Sequence, residues 1–132
     1  MTYLLDTNAC IQFLNLRNSA VEHRLATLDG TAVVICQIVK AELFFGAYKS
    51  ARREANLALL DKFFNQFASV PFDDASAEEY GRLRAELARR GTPIGPNDLM
   101  IAATALAHGL ILVTHNTAEF SRVADLHLDD WE

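Results

Sequence analysis

Residues 97–116, "NDLMIAATALAHGLILVTHN", decide the fold class. From Leu99 to Ala107 the run is apolar on nearly every face of a helix, which places that helix in the interior. His108-Gly109 stops it, and the β-rich run "LILVT" (110–114) follows at once. The same alternation extends in both directions. "TYLLD" (2–6), "TAVVIC" (31–36), "SVPF" (69–72) and a run near "LHL" (126–128) read as the other short strands.

Between them lie helical patterns over about 8–16, 19–28, 37–50 and 75–91, the last polar and stopped by Gly91, and a short helix from Asn116. "REANLALLDKFFNQFA" (53–68) is an amphipathic helix with Leu57, Leu60, Phe64 and Phe67 expected on its buried face. The loop "GTPIGP" (91–96) is a rigid bend. Four to five short strands separated by helices call for an α/β fold, a mainly parallel sheet with crossover helices on both faces. Sites in such sheets form at the carboxyl ends of strands, and Asp6 and His115-Asn116 fall just past two of them.

The 132 residues contain no repeat, no low-complexity tract and no linker, so residues 1–132 are expected to form a single domain. No apolar run approaches the roughly 18 residues of a membrane span, and no basic-then-apolar leader opens the chain. A cytoplasmic protein is expected. Cys10 and Cys36 have no metal-ligand spacing and lie in apolar stretches, which suits reduced, inert thiols.

The net charge of −5 argues weakly against an anionic partner. Its distribution is uneven: Glu119, Asp125, Asp129, Asp130 and Glu132 crowd the end, whereas "RLRAELARRG" (82–91) carries Arg82, Arg84, Arg89 and Arg90. Those arginines form either a cationic face or a solvated helix face with Arg82–Glu86 and Glu86–Arg90 pairs at helical spacing.

Acids also occur where apolar residues dominate. Asp6 ends the first strand, Glu42 interrupts "IVKAELFF", Asp98 precedes "LMIAATALA", and Glu119 follows the fourth strand. Singly, each has a structural account: Asp6 and Asp98 as helix caps, Glu42 on a solvated stripe, and Asn116 with Glu119 as a capping box. Gathered in one cleft, they would repel and raise one another's pKa unless a cation compensated them. Oxygen donors without a cysteine or histidine cluster select a hard ion, Mg²⁺ or Mn²⁺. Thr7, Asn8 and Thr114 are short polar residues able to orient such acids, and simple turn and cap roles suit them too. His115 reads as a loop residue, since no second histidine or nucleophile pairs with it.

In order, "DTN" after the first strand, "KAELFFGA" after the second, "GTPIGPNDLMIAATALAHG", "LVTHNTAEF" and the terminal "DDWE" resemble PIN-domain ribonucleases, specifically the VapC toxins of prokaryotic toxin–antitoxin pairs. The likeness spans essentially the whole chain. It implies a PIN-like, Rossmann-like three-layer sandwich and a metal-dependent endoribonuclease acting on structured RNA such as tRNA or ribosomal RNA loops. It also implies a homodimer silenced by a VapB-type antitoxin in a heteromeric complex. Carried over by position, the metal-site acids are Asp6, Glu42 and Asp98. The family's fourth position falls on Asn116, where many members carry Asp, and Glu119 stands close enough in sequence to compensate.

Other chemistries fit less well. A haloacid-dehalogenase-like phosphatase wants a second Asp two residues after the first, where this chain has Asn8. A receiver domain wants an acidic pair before its phosphorylated Asp and a late lysine that "LVTHN" lacks. A module that kept a partner groove and lost activity remains the non-enzymatic alternative, separable by Mn²⁺ titration. Phe44, Phe45 and Tyr48 are too aromatic a span for one helix face to bury, so at least one is expected to line an exposed apolar groove for an amphipathic antitoxin segment.

Overall fold

A computed structural model describes all 132 residues. The first strand, β1 (Tyr3–Leu5), is buried along its whole length, as its unbroken apolar run requires for a strand covered on both faces. It leads into α1 (Thr7–Asn15) and α2 (Ala20–Ala26), then β2 (Val33–Cys36), α3 (Gln37–Lys49) and α4 (Arg53–Phe64). Beyond these come β3 (Ala68–Val70), α5 (Asp74–Arg89), α6 (Pro96–His108), β4 (Ile111–Val113), α7 (Thr117–Phe120) and β5 (Leu128–Asp129).

The strands form one sheet in the order β3-β2-β1-β4-β5, and every pairing is parallel. β1 is central: Tyr3 registers with Val33 on one side and Ile111 on the other. From β1 the chain first winds outward to β2 and β3, then crosses back to β4 and β5. The winding reverses between β1 and β4, and a crevice opens outside their carboxyl ends. The Asp6 amide donates to the Val113 carbonyl at 3.1 Å across that boundary.

α6 is the most deeply buried helix, with Ile101, Ala102, Ala103, Thr104 and Ala105 all inaccessible. It ends where Gly109 turns left-handed (φ 65°) and the Leu110 amide reaches back to the Ala105 carbonyl at 2.8 Å. Gly91 (φ 71°) closes α5 in the same way, with Thr92 bonded to Leu87 at 3.0 Å.

Two sequence expectations need adjustment, and one open alternative is resolved. In α4 the fully buried aromatic is Phe63, and Phe64 is only half-buried. The helix ends at Phe64, and a turn brings Phe67 edge-on to Phe63 at 5.2 Å. The third strand lies slightly earlier than "SVPF", because Pro71 has no amide to extend the ladder. The α5 arginines are not a free cationic face: Arg82 pairs with Glu79 (2.6 Å) and Glu86 (3.6 Å), and Arg84 donates to the Tyr80 hydroxyl (2.8 Å). Cys10 and Cys36 are free and buried, and burial raises both thiol pKa values. No helix is long and apolar enough to cross a membrane.

Candidate metal centre

The crevice collects acids from four separate elements. Asp6, at the end of β1, is 5 % exposed. Its Oδ1 accepts the Ala9 amide at 2.8 Å, so it caps α1, and the Thr114 hydroxyl bonds it from the end of β4. Cap and site residue are therefore compatible in one carboxylate. Burial, chiefly, raises its pKa; the Thr114 and Ala9 bonds pull it down, and Glu132 and Glu42 push it up.

Asp98 occupies the first turn of α6, but Gly95 and Pro96 begin that helix and no side chain caps it. The cap role expected for Asp98 is absent. Half-buried, its carboxyl accepts no hydrogen bond and is pushed up to about 6, first by loss of solvent and then by Glu119, Glu42 and Asp6. Glu42, on α3, accepts the Thr7 hydroxyl at 2.7 Å.

Asn116 and Glu119 do not form a capping box: neither side chain bonds a backbone amide of α7. Asn116 Nδ2 instead donates to Glu119 Oε2 at 3.2 Å, and the Asn116 amide donates to Thr114 Oγ1 at 3.0 Å. Glu119 thus faces Asp98, with its orientation set by Asn116.

Two residues without an assigned role at the sequence level also matter. Glu132 approaches Asp6 closely enough to raise its pKa. Trp131 places it: the indole packs edge-on against Tyr3 at 5.3 Å, lies under Arg24, and donates Nε1–H to Asp129 at 3.0 Å. The signal was the terminal "DDWE", where a lone tryptophan among acids marks a tethered strap. His115 is also paired, with Nδ1 3.0 Å from Asp130. His115, Asp130 and Glu132 form a compact exposed group within 4.8 Å, an arrangement common on acidic surfaces without any ion. No three of the crevice acids bring their oxygens that close, as expected for unshielded carboxylates standing apart.

The crevice donors are all oxygens, and their charges destabilise one another. That set suits a hard divalent cation with retained waters, and the residues fit Mg²⁺ or Mn²⁺. No serine or cysteine nucleophile stands among them. A parallel sheet with such a carboxylate cluster at its switch point is the framework of a hydrolase acting through metal-bound water.

Comparison with known proteins gives the family. The PIN domain model matches residues 3–126, and the chain belongs to the PIN-domain family. It is 41% identical over 131 residues to the tRNA(fMet)-specific endonuclease VapC of Shigella flexneri, covering 99% of this chain and 98% of that one. It is 38% identical over 133 residues to ribonuclease VapC2 of Rickettsia felis, covering 100% and 99%. Its fold superposes with a TM-score of 0.94 on the DNA-bound VapBC structure from Salmonella typhimurium, at 38% identity and 100% and 99% coverage.

Proposed function

We propose that the protein is the toxin of a type II toxin–antitoxin pair, an endoribonuclease that hydrolyses phosphodiester bonds in structured RNA with Mg²⁺, for which Mn²⁺ substitutes. The observation that carries the metal reading is Asp98, a half-buried carboxyl with no hydrogen-bond donor and three acids facing it. A fold that keeps so repulsive a group at the mouth of its sheet has a cation to place there.

Asp6 and Asp98 are the central ligands, Glu42 joins directly or through water, and Glu119 or Asn116 completes the set. When bound, a divalent ion lowers the pKa of a water and neutralises charge developing on the phosphate oxygens. The side chains do the remainder. Ala9 and Thr114 hold the Asp6 carboxylate in one orientation, and Thr7 does the same for Glu42, whose second oxygen is left to orient a water or take its proton. Asn116 supplies an amide where a fourth acid would stand and turns Glu119 by its hydrogen bond.

The Shigella relative's name supports tRNA as the RNA class. The VapBC structures support a VapB-type antitoxin as partner. A homodimer in the cytoplasm completes the reading. A groove of about 250 Å³ between α1, α3 and α4, lined by Ile11, Leu14, Leu43, Ala47, Leu59 and Leu60, suits an amphipathic antitoxin helix. Phe44, Phe45 and Tyr48 are all exposed, at 39%, 66% and 54%, but contrary to expectation none of them lines this groove.

The test is cleavage of a tRNA pool by purified protein, with fragment 5′ ends mapped. Cutting at defined loop positions with Mg²⁺ or Mn²⁺ and none in excess EDTA is expected. Equal cutting in EDTA overturns the metal reading, and no cutting with either ion overturns the nuclease reading.

A further inference from the structure

The acids that hold a metal do not explain how an acidic protein grips a polyanion. Beside them lies a second feature. A cleft of about 750 Å³ runs from Thr7 and Glu42 along α3, and Phe45 and Lys49 line its far side. We propose that this cleft seats one unpaired nucleotide of the RNA next to the cleavage site, its base stacked on Phe45 and its phosphate on Lys49. The inference rests on the nuclease reading and assigns the residues that hold its substrate.

Phe45 is the most exposed aromatic ring here, two-thirds open to solvent. Lys49 holds its ammonium 5.0 Å from the ring centroid, so the ring face is reachable and a cation stands over it. Base stacking on an aromatic ring and a phosphate on a nearby ammonium are the two contacts that bind single-stranded nucleic acid. A base entering over the ring displaces the ammonium toward its own phosphate.

Charge and continuity select RNA as the occupant. The chain is −5 overall, yet the cleft carries a cation, Lys49, at the end away from the acids. The same cleft includes Glu42, so a nucleotide bound there has its backbone beside the metal-site acids. Asn8 and Asn97, from the first turns of α1 and α6, also line it and offer the amide donors and acceptors that read a base edge. A protein helix needs neither the paired amides nor a cation poised over the ring.

The experiment measures binding of a fluorescent single-stranded RNA oligonucleotide by anisotropy in EDTA, which removes cleavage from the readout. Phe45→Ala should weaken binding about tenfold or more, and Phe45→Trp should restore it, since stacking contributes roughly 1–3 kcal/mol per base. Lys49→Ala should lower the slope of log K against log salt by about 0.7, the loss of one phosphate contact. Both side chains are on the surface, so melting temperatures should match wild type. Affinity within twofold of wild type for Phe45→Ala overturns the proposal. So does a Phe45→Ala protein whose RNA affinity is intact while light scattering shows altered self-association, because the ring would then belong to an interface between copies. Wild-type cleavage with Mg²⁺ is run in parallel: its absence sinks the nuclease reading, whereas cleavage with unaltered Phe45→Ala binding sinks only the cleft.

Discussion

Thr7 donates its hydroxyl to Glu42 at 2.7 Å, joining two residues 35 positions apart in sequence. The bond ties the first turn of α1 to the middle of α3, and it fixes one site acid from the residue next to another. Thr7→Val should therefore lower the metal-free melting temperature by a few degrees, for a loss of about 1 kcal/mol. It should also raise the Mg²⁺ concentration for half-maximal cleavage. Unchanged values on both counts would reduce the contact to a surface coincidence.

Asp6→Asn and Asp98→Asn should each cut the cleavage rate by about 10² or more, because the amide keeps the shape and loses the ligand charge. Their effects on stability separate them. Asp98→Asn relieves repulsion and breaks no bond, so its metal-free melting temperature should rise. Asp6→Asn retains an oxygen for the Ala9 amide but gives up the carboxylate's contact with the Thr114 hydroxyl, so its metal-free melting temperature should rise less than that of Asp98→Asn. A lower melting temperature for either variant without metal would show that local bonding outweighs the repulsion.

Asp98 gives a pH signature. Its folded pKa of about 6 exceeds the ordinary 3.8, so between those values the folded state binds more protons than the unfolded one. Metal-free stability from this group is present below about pH 4 and is lost as pH rises through 6. Protons and metal also compete there, so half-maximal cleavage should need more Mg²⁺ at pH 5.5 than at 7.5. Thermal melts of wild type and Asp98→Asn across pH 4–7 check it: the difference between them should widen with pH.

Glu119→Gln should keep its melting temperature, since glutamine offers an oxygen to Asn116 as glutamate does. Cleavage should fall and the Mg²⁺ requirement rise if the charge completes the site. Identical kinetics across a Mg²⁺ titration would leave three acids and Asn116 as the whole donor set.

Leu59, 54% exposed at the rim of the α1–α3–α4 groove, should be a contact for the antitoxin. Leu59→Lys should lose the co-purified partner and keep RNA cleavage. A complex that survives this change and Ile11→Lys together would place the antitoxin elsewhere.

Much of this was legible in the sequence because strong local signals coincide with the fold. The apolar runs at Leu4, Val34 and Leu112 are buried strands, and the Gly91 and Gly109 stops fall where the backbone turns left-handed. Asp6, Glu42 and Asp98 were visible as acids set in apolar surroundings. Strand order was not legible, since β1–β4 pairing depends on packing across the whole chain rather than on any local pattern. Nor was the approach of Glu132 to Asp6, which needs Trp131 docked on Tyr3. The Asn116–Glu119 spacing suggested a cap because that motif is read locally, whereas the crevice draws both side chains to each other.

The central position of β1 also has a consequence in time. Asp6 is framed by the Val113 carbonyl and the Thr114 hydroxyl, so a chain emerging from the ribosome carries its first acid long before the strand that seats it. At roughly 5–20 residues per second, synthesis leaves an interval of seconds in which the nascent protein has acids but no crevice. Nascent chains stalled before β4 should leave RNA intact, and those stalled with β5 clear of the exit tunnel should cut it.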